Sequence, residues 1–223
     1  RVLNGLDEEG QPDFVLAIVA MASMERGLFL VSQVMDLGLP MAIVLNMEDT
    51  AEKQGIAVKT HQLYKALGVP ILQSNARNDK SLKNIEELIA NKSFAKPKPF
   101  VNTEALLPAS LAETIGKEFN LKNPYQAFQL IRFHDSEVLL TKYQKEFIKE
   151  KITEADFDLE EAQVIETKLR YKAIQDILEQ SIVYTDIKTK KITERLDKIF
   201  LHKIGGYVVF VGILLLIFQA IFA

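Results

Sequence analysis

The chain has 223 residues, of which 48% are hydrophobic and 26% are charged, and its formal net charge is −3 at pH 7. This length and composition suit one or two globular domains with ordinary hydrophobic cores. The absence of cysteine excludes disulfides, thiolate metal sites and cysteine nucleophiles, and the slightly acidic balance argues against nucleic acid as a partner.

In residues 1–95, short apolar runs alternate with stretches of helix length. This alternation is typical of βαβ units, whose parallel sheet is buried on both faces. Residues 1–95 are therefore predicted to form an α/β domain. Its predicted elements, in chain order, are a strand over 14–19, a helix over about 24–37, a strand over 41–45, a helix over about 61–67, a strand over 71–73 and a helix over 82–90.

The segment Lys96-Pro97-Lys98-Pro99 is stiff and polar and cannot continue a helix, so we predict a domain boundary at residue 96. Residues 96–190 are predicted to be all-helical. Asn123-Pro124 with Gln126 has the pattern of a helix start with a capping box. Apolar residues then recur every three or four positions and predict helical core stripes: Leu139 or Leu140 with Tyr143 and Phe147, then Ala162, Ile165, Leu169, Ala173, Ile177 and Ile182.

The end of the chain, residues 204–223, is apolar and uncharged. About 20 such residues match the length needed to cross a ~30 Å hydrocarbon core, so a transmembrane helix is predicted there. The preceding segment, 191–203, is rich in lysine and arginine, and the positive-inside tendency then places the upstream residues in the cytoplasm. The alternative is a buried hydrophobic hairpin, broken at Gly205-Gly206.

A polar tetrapeptide, Asn46-Met47-Glu48-Asp49, directly follows the second predicted strand. Guanine presents two adjacent donors, its ring N–H and its exocyclic amine, and the carboxylate of Asp49 can accept both. Adenine lacks that pair of donors, so the same carboxylate would be desolvated without partners. Asn46 is expected to hold the loop and to reach the purine edge. The alternative interpretation is an Asx turn that caps the following segment.

A second polar loop, Asn75-Ala76-Arg77, follows the third predicted strand. In open α/β folds, ligands bind outside the carboxyl ends of the strands, so the two loops are predicted to form one guanine pocket. A backbone N–H near Ala76 could then donate to the guanine oxygen.

The sequence predicts no catalytic or metal-binding residue. His61, His134 and His202 are too far apart in sequence to suggest a metal cluster, and each is interpreted as a surface or packing residue. Acidic pairs such as Glu86-Glu87 and Glu160-Glu161 are interpreted as solvated helix faces.

Several segments together resemble the cytoplasmic part of the ferrous iron transport protein B family, in which a GTPase domain is fused to a membrane permease. Met47 favours this family, since most small GTPases carry lysine at that position. The similar segments are Ala-Ser-Met-Glu-Arg-Gly-Leu at 22–28, Leu-Asn-Met-Glu-Asp at 45–49, Asn-Ala-Arg at 75–77, Asn-Pro at 123–124, Lys-Leu-Arg-Tyr at 168–171 and the juxtamembrane run at 196–206.

The resemblance implies the C-terminal half of a P-loop GTPase-type parallel sheet, followed by a helical spacer and one transmembrane helix. It implies GTP as the ligand, with Mg²⁺ held by residues that lie upstream in the family. It further implies part of a GTP-dependent ferrous iron uptake transporter of the inner membrane, with residues 1–203 cytoplasmic. The implied partners are the lipid bilayer and further membrane helices, and a homo-oligomer is compatible with the resemblance.

Two family motifs are interpreted as missing from the chain: no G-x-x-x-x-G-K-[ST] phosphate loop occurs, and no D-x-x-G switch is recognised. In the family both precede the segment that matches Arg1, so the sequence is interpreted as a piece cut at both ends, and this chain is not expected to hydrolyse GTP. The alternative from another class is a membrane-anchored interaction protein with a degenerate, non-hydrolysing GTPase half.

Overall fold

The computed structural model describes residues 3, 10–77, 79–185, 198, 200–203 and 205–222. The chain divides into two compact units, residues 1–184 and residues 185–223. Most of the predicted basic segment at 191–203 lies outside the described residues, as do Ile204 and Ala223 at the ends of the predicted apolar span.

Five strands and nine α-helices are present in the part of the chain that the structure describes. The strands are β1 (Val15–Ala20), β2 (Met41–Asn46), β3 (Ile56–Val58), β4 (Ile71–Gln73) and β5 (Ile182–Tyr184). The helices are α1 (Met24–Asp36), α2 (Glu48–Lys53), α3 (Thr60–Leu67), α4 (Asp79–Ala90), α5 (Ala109–Glu118), α6 (Pro124–Phe133), α7 (Lys142–Glu154), α8 (Leu159–Ser181) and α9 (Gly205–Phe222).

The main sheet has three parallel strands in the order β1-β2-β4. Val15 lies opposite Met41, and Ile43 lies opposite Ile71, which sets the register. The central strand β2 is almost fully buried from Met41 to Leu45, as expected of a strand covered on both faces. The α/β fold with a parallel sheet, predicted from the apolar runs, is confirmed.

A second, antiparallel sheet pairs β3 with β5 and was missed by the sequence analysis. Ile182, predicted to continue a helical stripe, is extended and lies opposite Val58. The prediction of an all-helical segment up to residue 190 is therefore wrong at β5. Three residues carry too little periodicity to identify a strand, and its pairing with β3 is a long-range contact.

The helices α5 to α8 enclose a second hydrophobic cluster, separate from the cluster around the main sheet. The predicted capping box at the start of α6 is confirmed, because Asn123 Oδ1 accepts from the Gln126 N–H (2.9 Å) and Gln126 Oε1 accepts from the Asn123 N–H (3.2 Å). Two stripe residues are not in the core, since Leu169 is 40% exposed and Tyr143 is 70% exposed. The domain boundary at residue 96 stays a prediction.

The residue that is buried beside Leu169 is Arg170, whose side chain is fully inaccessible. Its guanidinium donates to Asp36 Oδ2 of α1 (2.6 Å) and to Glu166 Oε1 of α8 (2.8 Å). Tyr125 of α6 also donates to Glu166 Oε1 (2.7 Å), and Asp36 Oδ1 accepts from the Val101 N–H (3.2 Å). This network, which we call the Arg170 network, links α1 at the sheet to the helices α6 and α8.

Burial shifts the pKa values of groups in the Arg170 network. Desolvation raises the pKa of Asp36 above its ordinary value, although Arg170 and two backbone N–H groups act in the opposite direction. Desolvation also raises the pKa of the Tyr125 phenol. Desolvation of the Arg170 guanidinium lowers its pKa, but Tyr125 and the carboxylates of Asp36 and Glu166 outweigh this effect, so the pKa of Arg170 is raised. Burial therefore disfavours the charged form of Asp36, while the surrounding groups favour the charged form of Arg170.

No helix in the described part of the chain is long and apolar enough to cross a membrane. The apolar helix α9 has 18 residues, which corresponds to about 27 Å at 1.5 Å per residue, against a ~30 Å hydrocarbon core. The transmembrane helix predicted over residues 204–223 is therefore not supported by the structure.

Replacing Arg170 with methionine is expected to lower the free energy of unfolding by about 3–5 kcal/mol, because the buried carboxylate of Asp36 loses its paired cation while the volume is nearly kept. Glu166 keeps one cation, since Arg132 Nη1 lies 3.2 Å from its Oε2. Chemical denaturation followed by circular dichroism measures the change. The matched control is Lys168→Ala, which removes an exposed cation from the same helix and is expected to change stability by less than about 0.5 kcal/mol. Equal denaturation midpoints for Arg170→Met and the unmodified chain would contradict the assigned role.

Candidate functional site

The first polar loop begins where β2 ends, at Asn46, and leads directly into the short helix α2. Met47 has φ 65° and ψ 39°, a left-handed conformation that is uncommon for a residue other than glycine. Glu48 and Asp49 follow in the first turn of α2, where their negative charge is favourable to the helix dipole. Asp49 is half-buried, and its carboxylate makes no hydrogen bond or ion pair with the described residues.

The second polar loop follows β4 and leads into α4. Ser74 is buried, and its N–H donates to the Leu45 carbonyl (2.8 Å), which extends the pairing with β2 by one residue. The Asn75 side chain accepts from the Arg77 N–H (3.1 Å), forming a local Asx turn. Ala76 and Arg77 are exposed.

Two hydrogen bonds join these loops at the carboxyl edge of the sheet. Asn46 Oδ1 accepts from the Ala76 N–H (3.2 Å), and the Glu48 N–H lies 3.4 Å from the Ser74 carbonyl. The predicted residues Asn46, Met47 and Asp49 are thus brought next to Asn75, Ala76 and Arg77, and the side chain of Asn46 bonds to the second loop.

The structure modifies one detail of the predicted pocket. The Ala76 N–H, expected to face a ligand oxygen, already donates to Asn46 Oδ1, so a ligand acceptor at this position must share or replace that bond. The Asx-turn alternative for Asn46 is not what the structure has, because α2 begins with Met47 at its N-cap and without a side-chain cap.

One contact of the second loop was not anticipated. The Asn75 N–H donates to Ser81 Oγ (3.3 Å), in the first turn of α4. A serine at the start of a helix is a common capping signal, but its partner, six residues earlier, could not be identified without the folded loop.

His61 and His134 lie on different helical segments of residues 1–184, and His202 belongs to residues 185–223. His61 is exposed in α3, and His134 is buried at the end of α6 with Nδ1 2.6 Å from the Ile131 carbonyl oxygen. His202 Nδ1 accepts from the Gly205 N–H (3.1 Å). Within the described residues, no group of three or more His, Asp or Glu side chains is arranged to hold a metal ion.

Two cavities lie away from the joined loops. One, of about 830 Å³, is bounded by α5 and the segments that flank it, and another, of about 540 Å³, lies between the start of α1 and the end of α8. Neither is lined by residues 46–49 or 74–77.

A parallel sheet with polar loops joined at its carboxyl edge defines the class of open α/β ligand-binding domains. Within that class, residues 3–89 match the family model described as "Ferrous iron transport protein B". Similarity to curated members of that family extends beyond residue 89 over nearly the whole chain, as given below.

The curated relatives cover nearly the whole chain. The Fe(2+) transporter FeoB of Leptospira biflexa is 25% identical over 95% of this chain and 32% of its own length. A fusion of Fe(2+) transport protein A with FeoB from Porphyromonas gingivalis is 27% identical over 97% of this chain and 28% of its own length. The chain thus spans about a third of the length of the relatives it matches.

Solved structures share the fold at low identity. The cytosolic domain of L. pneumophila FeoB has a TM-score of 0.60 and 20% identity, covering 79% of this chain and 70% of that chain. An S. thermophilus NFeoB mutant bound to GDP has a TM-score of 0.53 and 21% identity, covering 80% of this chain and 72% of that chain.

The left-handed conformation of Met47 generates a test of the first loop. Met47→Gly is expected to raise the free energy of unfolding by about 1 kcal/mol, because glycine adopts this conformation without a Cβ clash. Met47→Val is expected to lower it by about 1 kcal/mol or more, because a β-branched residue strongly disfavours a positive φ. Both changes are measured by urea denaturation. A gain in stability with valine would show that the loop does not hold residue 47 in this conformation.

Proposed function

We propose that the joined loops recognise the base of a guanine nucleotide. The hydrogen bond from the Ala76 N–H to Asn46 Oδ1 carries the proposal, because it brings the two polar loops, which follow separate strands, to one edge. The half-buried carboxylate of Asp49 then supplies the acceptor for the two adjacent donors of guanine. The proposed base-binding residues are Asn46, Met47, Asp49, Asn75, Ala76 and Arg77.

The residues present fit a base better than they fit phosphates or Mg²⁺. The amide and carboxylate of the first loop are groups that read a base edge, whereas the sequence has no G-x-x-x-x-G-K-[ST] loop to cradle phosphates. The letters D-x-x-G do occur, at residues 7–10, but residues 7–9 lie outside the described residues. The residues named here would bind and orient the base of a bound GTP.

The family supports a wider role. Its curated members are Fe(2+) transporters, and two of the structural neighbours are bound to GDP or are in a GMPPNP form. We therefore propose that this chain is part of a GTP-dependent ferrous iron uptake transporter of the inner membrane. In that role, the α/β part would recognise the base, and the helices α5 to α8 would link it to the membrane part.

Membrane attachment is a separate part of the proposal. The side chains of α9 are apolar and largely exposed, for example Leu216 at 71% and Ile221 at 69%. A helix of about 27 Å falls only slightly short of the hydrocarbon thickness, and local thinning of a bilayer accommodates such a mismatch. We propose that α9 lies in a lipid bilayer beside further membrane helices. Residues 1–203 would then lie in the cytoplasm.

The base proposal is tested by changing the hydrogen-bonding pattern of Asp49. Xanthine carries a carbonyl oxygen where guanine carries its amine, and an asparagine side chain can accept from the ring N–H while donating to that oxygen. Asp49→Asn is therefore expected to weaken binding of guanosine monophosphate by about 10- to 100-fold and to strengthen binding of xanthosine monophosphate. Titrations of the ¹⁵N-labelled, detergent-solubilised chain measure both affinities.

The neighbouring Glu48→Gln variant is the matched control, since it removes an equal charge from the same helical turn and is expected to change neither affinity. Adenosine monophosphate serves as the base control. Equal binding of guanosine and adenosine monophosphates by the unmodified chain would refute recognition of guanine. Binding of neither nucleotide would also refute it and would favour the interaction module.

The membrane proposal is tested by flotation with phosphatidylcholine liposomes. The full chain is expected to float and to resist alkaline extraction. The Leu214→Arg and Ile217→Arg changes, made together, are expected to release it, because each arginine near a helix centre costs about 2.5–3.5 kcal/mol in a bilayer. Tyr143→Arg, at an exposed position of α7, is the control for the added charge. Full extraction of the unmodified chain would contradict a bilayer location for α9.

A further inference from the structure

We propose that Ser81 is a positioning residue for guanine binding, which holds the loop after β4 in its binding shape from the first turn of α4. The proposal rests on the proposed function of the joined loops. Its structural basis is the hydrogen bond from the Asn75 N–H to Ser81 Oγ (3.3 Å).

The backbone N–H groups of residues 74–77 are each bonded to a different partner. Ser74 donates to the Leu45 carbonyl of β2 (2.8 Å), and Ala76 donates to the side chain of Asn46 (3.2 Å). Arg77 donates to the side chain of Asn75 (3.1 Å). The loop is therefore tied to the sheet, to the other loop and to itself, and Ser81 supplies its tie to α4.

The hydrogen bond to Ser81 holds the backbone of Asn75, whose side chain forms the Asx turn. If the Asn75 N–H loses its acceptor, the backbone of Asn75 is free to rotate, and its side chain no longer stays in place for the Arg77 N–H. Ala76 lies between these two residues, so the contact between the loops loosens as well. A loop that must be ordered during binding costs affinity that a preorganised loop retains.

The side-chain chemistry required at position 81 is specific. A hydroxyl on Cβ reaches the preceding loop from the first helical turn, and serine and threonine both provide it at that distance. Alanine keeps the helix but removes the acceptor. Ser81→Thr should therefore behave like the unmodified chain, whereas Ser81→Ala should not.

The experiment compares Ser81→Ala, Ser81→Thr and the control Ser110→Ala, which removes an exposed hydroxyl near the start of α5. The first measurement is the affinity for guanosine monophosphate, and the second is hydrogen exchange of the Asn75 amide without nucleotide. Ser81→Ala is expected to bind about five-fold more weakly, the loss of one neutral hydrogen bond, and to exchange the Asn75 amide faster. Ser81→Thr and Ser110→Ala are expected to match the unmodified chain in both measurements.

Unchanged affinity in Ser81→Ala, with guanine-selective binding by the unmodified chain, would overturn the role of Ser81 and leave the proposed function intact. Weaker binding that threonine does not restore would also overturn it, because the hydroxyl would then not be the cause. If the unmodified chain fails to distinguish guanosine from adenosine monophosphate, the proposed function fails and the role of Ser81 in binding fails with it, while the amide exchange still reports whether Ser81 orders the loop.

Discussion

The buried guanidinium of Arg170 is the constraint on which the packing of residues 1–184 depends. A charge without access to water must keep its partners, and those partners come from separate parts of the chain: Asp36 at the end of α1 and Glu166 one turn away in α8. Asp36 in turn accepts from the Val101 N–H, and Glu166 accepts from Tyr125 of α6. Any shift of the helices relative to the sheet would leave at least one of these charges unpaired.

Because the Arg170 network holds α1 in place, it also helps to hold the carboxyl edge of the main sheet in place. Because α1 follows β1 and packs on the main sheet, the Arg170 network stabilises the scaffold on which the strands β2 and β4 end. The loops at those ends then need only short-range contacts to meet, and the bond from the Ala76 N–H to Asn46 Oδ1 is one of them. The binding edge is local in its chemistry but depends on long-range packing for its position.

Strong local patterns made much of the fold predictable. The apolar runs of β1, β2 and β4 are bounded by turn residues, and the capping box of Asn123 and Gln126 is read within four residues. The strands β3 and β5 and the short helix α2 were missed, since three to six residues carry little periodicity. Leu169 was placed in the core by spacing, yet the buried position belongs to Arg170, because ion pairing compensates part of the cost of burying its charge.

The sequence by itself determined the class of fold, the family resemblance and the residue types at the candidate site, because periodicity, turn chemistry and the order of motifs are local properties of a chain. It also placed Asn46 and Asp49 after one strand and Asn75 to Arg77 after another. The tertiary structure alone decided that Asn46 bonds to Ala76, that Ser81 holds Asn75 and that Arg170 is buried between two carboxylates. Such contacts depend on distances and burial that arise only when segments far apart in the sequence pack together.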